Sequence, residues 1–145
     1  MKIYVINGPN LNMLGIREPE HYGKTSYSEL CSMIEKYCLE LGIEPVLYQS
    51  NHEGDLVDKI QEAYFANADG IVINPGAYTH TSIALLDAVK ATSLPCVEIH
   101  ISNPDEREEF RRVSYVRAAC IRTICGHGTD GYKEAIDVLR EHLSK

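Results

Sequence analysis

The sequence predicts a doubly wound α/β fold, and three observations carry that expectation. Compact apolar runs at 2–7, 44–49, 70–76, 95–102 and 119–125 alternate with helical patterns of at least ten residues. Turn signals close the runs, with Gly8-Pro9 after the first and Pro75-Gly76 after the third. The 145 residues suffice for one core, and no Pro/Gly/Ser-rich linker, repeat or low-complexity stretch divides them, so one domain over 1–145 is expected.

The first run, KIYVIN (2–7), is apolar on both faces, as a strand covered on both sides must be. A loop follows. Ser26-Tyr27-Ser28-Glu29 has the spacing of a capping box, and Leu30, Ile34, Tyr37, Cys38 and Leu41 then recur at helical spacing before Gly42. EPVLYQ (44–49) is the second strand. DLVDKIQEAYF (55–65) places Leu56, Ile60, Ala63 and Tyr64 on one helical face, and GIVINPG (70–76) is the third strand. Thr81 or Ser82 caps a helix over 82–91, and PCVEIHIS (95–102) is the fourth strand. A short helix is expected from Asp105 to about Arg111, a fifth strand over 119–125 and a closing amphipathic helix over 131–143. Strands joined through helices pair in parallel with right-handed crossovers, which puts helices on both faces. The expected order is 2-1-3-4-5, the flavodoxin-like one.

Charge and composition narrow the partners. A formal net charge of −7 disfavours nucleic acid, because neutralising phosphates needs a basic face; EREEFRRVSYVR is a local exception. No stretch is long and apolar enough for a membrane span, and MKIYVIN running into Gly-Pro-Asn lacks the pattern of a signal peptide. The five cysteines are odd in number, have no C-x-x-C spacing and lie mostly in apolar runs, as reduced thiols in a cytoplasmic protein do.

In an open parallel sheet the ligand lies beyond the carboxyl ends of the strands, where the strand order reverses. Those ends carry Asn7-Gly8-Pro9-Asn10, Asn74-Pro75-Gly76-Ala77 and Glu98-Ile99-His100-Ile101-Ser102. Asn-Gly-Pro and Asn-Pro-Gly are each ordinary turn sequences. Glu98 and His100, two apart on one strand, share a face, where the carboxylate can fix the imidazole tautomer; this makes His100 a candidate acid or base. His80 stands near the start of the third helix, either as a neighbour of its cap or as a ligand contact. Arg107 and Arg111, at i and i+4, are expected on one face of a helix or turn, on the same rim as these groups. Zinc spacings, a phosphate-binding P-loop, G-x-G-x-x-G and G-x-S-x-G are all absent from the sequence, which points to a pocket working without metal or cofactor. GIREPEHYG (15–23) adds Arg17 and Tyr22 on a loop that has neither helical nor strand periodicity.

Taken together, N-G-P-N-L-N (7–12), R-E-P-x-x-Y-G (17–23), Q-S-N-H-E-G (49–54), N-P-G-A-Y-T-H-T-S (74–82) and E-I-H-I-S-N (98–103) followed by R-E-E-F-R (107–111) resemble the type II 3-dehydroquinate dehydratase family. The resemblance extends from Met1 to the final helix, and the order and spacing of the motifs make it specific; Pro104-Asp105 is a departure that touches no assigned role. It implies cofactor-free anti elimination of water from 3-dehydroquinate to 3-dehydroshikimate, in the shikimate or quinate pathway. Tyr22 then corresponds to the base, Arg17 to its activator on a mobile lid at about 15–25, and His100, oriented by Glu98, to the acid. Asn10 corresponds to the residue holding a water against the enolate oxygen. Asn74 with the backbone N–H groups of Ile101 and Ser102 corresponds to the carboxylate site, and His80 and Arg111 to the hydroxyl contacts. Arg107 matches an arginine near the lid tyrosine. Asp87 matches an acidic residue that reaches a neighbouring subunit's site, in a homo-oligomeric dodecamer built from trimers.

The implied base is physically reasonable. Lowering a phenol from a pKa of about 10 to near 7 takes roughly 4 kcal/mol. One arginine at about 4 Å, at an effective dielectric of about 20, supplies roughly that much before desolvation is charged against it, so Arg17 and Arg107 together suffice. Two alternatives share the fold. A flavin carrier or phospho-receiver needs a hydroxyl-rich first loop or acidic strand ends, where this chain has Asn7 and Asn74. A lyase or isomerase acting on another polyhydroxy keto acid needs the same base and acid, and the residues alone leave it open.

Overall fold

The computed structural model describes residues 1–16, 18, 20 and 24–145. Arg17 and Tyr22, and with them part of the expected lid at about 15–25, lie outside the described residues. In chain order the elements are β1 (Lys2–Asn7), α1 (Tyr27–Glu40), β2 (Glu44–Gln49), α2 (Glu53–Phe65), β3 (Gly70–Asn74), α3 (Ile83–Thr92), β4 (Cys96–His100), β5 (Arg122–Cys125) and α4 (Gly131–Leu143). The five strands form one sheet in the order β2-β1-β3-β4-β5, with every neighbouring pair parallel. This is the expected flavodoxin-like arrangement.

The strand period of two divides the core into two layers. Ile3 and Val5 of β1 face α1 and α4, where they join Leu30, Ile34, Ile136 and Leu139. Tyr4 and Ile6 face the other way, toward Leu56, Ile60, Leu85 and Val89 of α2 and α3. Each fully buried Ile or Leu contributes roughly 1.5–3 kcal/mol. Side-chain caps start two of the helices. Ser26 Oγ accepts from the Glu29 N–H at 3.1 Å ahead of α1, and Ser82 Oγ accepts from the Leu85 N–H at 2.9 Å ahead of α3. Of the two cap candidates for α3, it is Ser82 that acts.

Most differences from expectation lie at the element ends, and one lies within an expected helix. β3 stops at Asn74, because Pro75 has no N–H to continue the ladder. β5 starts only at Arg122, since Val116–Ala119 forms a 3-10 turn that carries the chain up to it. α2 begins two residues early, at Glu53. The expected helix from Asp105 to Arg111 is not continuous: Pro104–Glu106 and Glu109–Arg111 are separate 3-10 turns, with Arg107 and Glu108 extended between them. The Asn103 side chain caps the first turn, accepting from the Asp105 N–H at 3.1 Å. Arg107 and Arg111 therefore do not share a helical face. No helix among the described residues is long and apolar enough to cross a membrane.

Candidate active site

The switch between β1 and β3 is built by close backbone approach. The Gly8 N–H donates to the Asn74 carbonyl at 2.7 Å, and a Cβ on Gly8 would lie 2.5 Å from the Pro75 carbonyl oxygen. Gly76 has φ +59°, in the left-handed region that glycine adopts without strain, and its Cα side faces Pro9. Asn10, at φ 69°, is also left-handed, and its N–H donates to Asn51 Oδ1 at 3.0 Å. Gln49 holds that turn from β2, donating to the Gly8 carbonyl and to Asn51 Oδ1, each at 3.1 Å.

Beside this switch opens a cleft of ≈ 130 Å³, bounded by Asn10, Asn74, His80, His100, Ile101, Ser102, Arg107 and Arg111. Eight residues singled out in the sequence thus meet at one place. Arg107 and Arg111 reach it despite the broken helix, one from the extended link and one from the second turn. Asp87 does not: it is exposed on α3, away from the cleft of its own chain.

Glu98 is fully buried behind His100. Its Oε2 accepts from His100 Nε2 in a very short hydrogen bond, and from the hydroxyls of Thr79 and Ser114, each at 2.9 Å. Its Oε1 accepts from Thr123 Oγ1 at 3.2 Å, and Arg117 Nε stands 3.6 Å away. Burial alone would raise the carboxyl pKa; the bond and charge of His100 and the two hydroxyls outweigh it and hold the group at about 2. A carboxylate only accepts, so Nε2 of His100 carries the hydrogen and Nδ1 is the ring nitrogen left for the cleft. Composition and periodicity gave no sign of Thr79, Ser114 or Thr123. Thr123 stands opposite Glu98 in the β4–β5 register, so strand order would have revealed it; Ser114 lies in a stretch with no period to read.

His80 places Nδ1 2.7 Å from the Val113 carbonyl, which can only accept, so Nε2 is the acceptor of the neutral ring. Burial lowers its pKa below the ordinary histidine value, and His100 and Arg111 push the same way against the opposing bond to Val113 and the charge of Glu98. Arg107 Nη2 lies 3.6 Å from Glu18 Oε2, so this nearly buried guanidinium touches the segment that carries Arg17 and Tyr22 in sequence. Arg111 Nε bonds Glu108 at 2.5 Å. Asn74 Oδ1 accepts from the Gly76 N–H at 3.1 Å, which turns its amino group away from the turn. Among the described residues no group of three or more His, Cys, Asp or Glu is placed to hold a metal ion. Two arginines, amide donors and a histidine backed by a carboxylate suit an anionic, oxygen-rich ligand and proton transfer to or from it.

Fold and cleft together define an α/β protein of the flavodoxin-like class, with a carboxylate-backed histidine in a cleft at the carboxyl ends of its strands. The Dehydroquinase class II family model matches residues 1–140. The chain is 54% identical to the 3-dehydroquinate dehydratase of Clostridium acetobutylicum over the full length of both. It is 51% identical to that of Caldicellulosiruptor saccharolyticus over 98% of each chain. Among solved structures, the type II dehydroquinase from Butyrivibrio crossotus superposes with a TM-score of 0.96 at 57% identity, covering 97% of both chains. This chain belongs to the class II dehydroquinase family.

Proposed function

We propose that the cleft dehydrates 3-dehydroquinate to 3-dehydroshikimate by anti elimination through an enolate, with no metal or cofactor. Membership of the family makes the chain a type II hydro-lyase; the step-by-step roles are the proposal's own. The observation that carries them is the buried Glu98–His100 pair behind a cleft rimmed by Arg107 and Arg111.

In this reading the Tyr22 phenolate takes the proton from the carbon beside the ketone, stabilised by Arg17 and Arg107. The electrons of the C–H bond pass to the ketone oxygen, which meets a water held by Asn10. The enolate then collapses: the C–O bond to the hydroxyl breaks, a C=C bond forms, and protonated His100 gives its Nδ1 proton to the departing oxygen, so that water leaves. Glu98 stabilises the imidazolium through Nε2 and keeps the ring oriented. Transfer of the abstracted proton from Tyr22 to His100 through solvent closes the cycle. Asn74 and the N–H groups of Ile101 and Ser102 meet the substrate carboxylate, while His80 Nε2 and Arg111 meet its hydroxyls. A lid at about 15–25 shields the enolate from bulk water on closure.

We further place the activity in the cytoplasm, in the shikimate or quinate pathway, within a dodecamer of four trimers where Asp87 serves a neighbouring copy. Five cysteines without disulfide spacing support the first statement and the family resemblance the other two, and the exposed position of Asp87 agrees with the last. The product is a conjugated enone, whereas the substrate is not. Adding 3-dehydroquinate to chelator-treated protein should therefore produce ultraviolet absorbance that grows with enzyme concentration. Folded protein giving no rise would refute the assignment.

A further inference from the structure

The hydroxyl of Tyr132, in the first turn of α4, is fully buried beneath the cleft although no step above uses it. It donates to Asn7 Oδ1 at 2.6 Å, at the end of β1, and accepts from Asn74 Nδ2 at 2.9 Å, at the end of β3. Burial holds the phenol above its ordinary pKa, so the proton it donates to Asn7 stays in place. The helix reaches this depth because residue 131 is glycine: a Cβ there would lie 2.4 Å from Ile99 Cδ1.

A carboxamide can sit in two orientations that differ by a half-turn, and only one of them offers a donor to an anion. At Asn74 two groups select that orientation. The Gly76 N–H can only donate, so it claims Oδ1. Tyr132, having given its proton to Asn7, offers a lone pair, so it claims one hydrogen of Nδ2. The second Nδ2 hydrogen is left for a ligand in the cleft that Asn74 lines. The opposite orientation would place two donors, Gly76 N–H and Nδ2, face to face.

We propose that Tyr132 is a positioning residue for recognition of the substrate carboxylate: by bridging Asn7 and Asn74 it fixes the Asn74 amino group toward the ligand. This rests on the function proposed above, in which Asn74 meets that carboxylate. The bridge makes no bond to Glu98 or His100, so it acts on binding and leaves the chemical step alone. Removing it leaves Asn7 Oδ1 and Asn74 Nδ2, both buried, without their shared partner, and frees the carboxamide to rotate toward Asn7.

The test is steady-state kinetics with 3-dehydroquinate on the full-length protein as a two-residue cycle. Tyr132→Phe keeps the packed ring, so KM should rise about three- to tenfold, the worth of one hydrogen bond, with kcat changed by less than about twofold. In an Asn74→Ala background the same substitution should leave KM unchanged, because its effect runs through Asn74. Asn7→Ala is the second variant: it frees the Tyr132 proton to compete for Asn74, and should raise KM in the same way should Tyr132→Phe fold poorly. Unchanged KM in either folded variant, a loss confined to kcat, or an undiminished KM effect on top of Asn74→Ala would each overturn the proposal. Wild-type protein that fails to turn over 3-dehydroquinate would instead overturn the function itself, which separates the two failures.

Discussion

Glu98 is a carboxylate with no exposed surface, tolerable only because every approach to it is occupied by a donor or a cation. Its pKa of about 2 lies below the ordinary 4.5, so its stabilising contribution is complete above about pH 4.5 and fades as pH falls toward 2. Glu98→Gln should therefore melt at lower temperature than wild type at about pH 7, and the gap should narrow at about pH 3, as thermal unfolding at both values will show. The same variant should lower kcat more than it raises KM, since in the proposed mechanism the carboxylate orients the acid and touches no substrate. At this scale the sequence was informative where chemistry and spacing coincide. Glu98 and His100 were legible as a pair because the strand period puts them on one face. Thr79 and Ser114 were not, because a hydroxyl's partner is decided by tertiary approach and leaves no trace in local pattern.

At the scale of elements, periodicity located the five strands and four long helices of the described residues, and failed where the backbone is fixed by single contacts. From Asp105 to about Arg111 a short helix was expected, but Pro104, the Asn103 cap and the extended Arg107 break the chain into two turns. The extended link is what lets Arg107 meet Glu18 while Arg111 bonds Glu108. The approach of α4 to β4 is likewise set by one residue. Gly131→Ala must displace Ile99 or the helix, and should cost about 1–3 kcal/mol of stability in denaturant unfolding. Removing the α1 cap with Ser26→Ala should cost about 1 kcal/mol in the same experiment, with no effect on KM, because that end of the helix lies outside the cleft.

For the whole molecule, the parallel sheet dictates where chemistry can sit, and the strand order puts the ends of β1, β3 and β4 around one cleft. That much followed from alternation alone. The proposed assembly did not, because within its own chain Asp87 looks like any exposed helical carboxylate. Light scattering on the purified protein should give the mass of twelve chains; a fully active monomer would remove Asp87 from the site. In the proposed mechanism His100 delivers the proton that releases the hydroxyl, after Tyr22 has already removed the one beside the ketone. That mechanism is tested most directly by incubating His100→Ala with 3-dehydroquinate in deuterated water, following enone formation by absorbance and the proton beside the ketone by nuclear magnetic resonance. Enone formation should fall by about 10²–10⁴ while that proton still exchanges with solvent. Enone formation at the wild-type rate would contradict the mechanism, and so would the loss of exchange from a correctly folded variant.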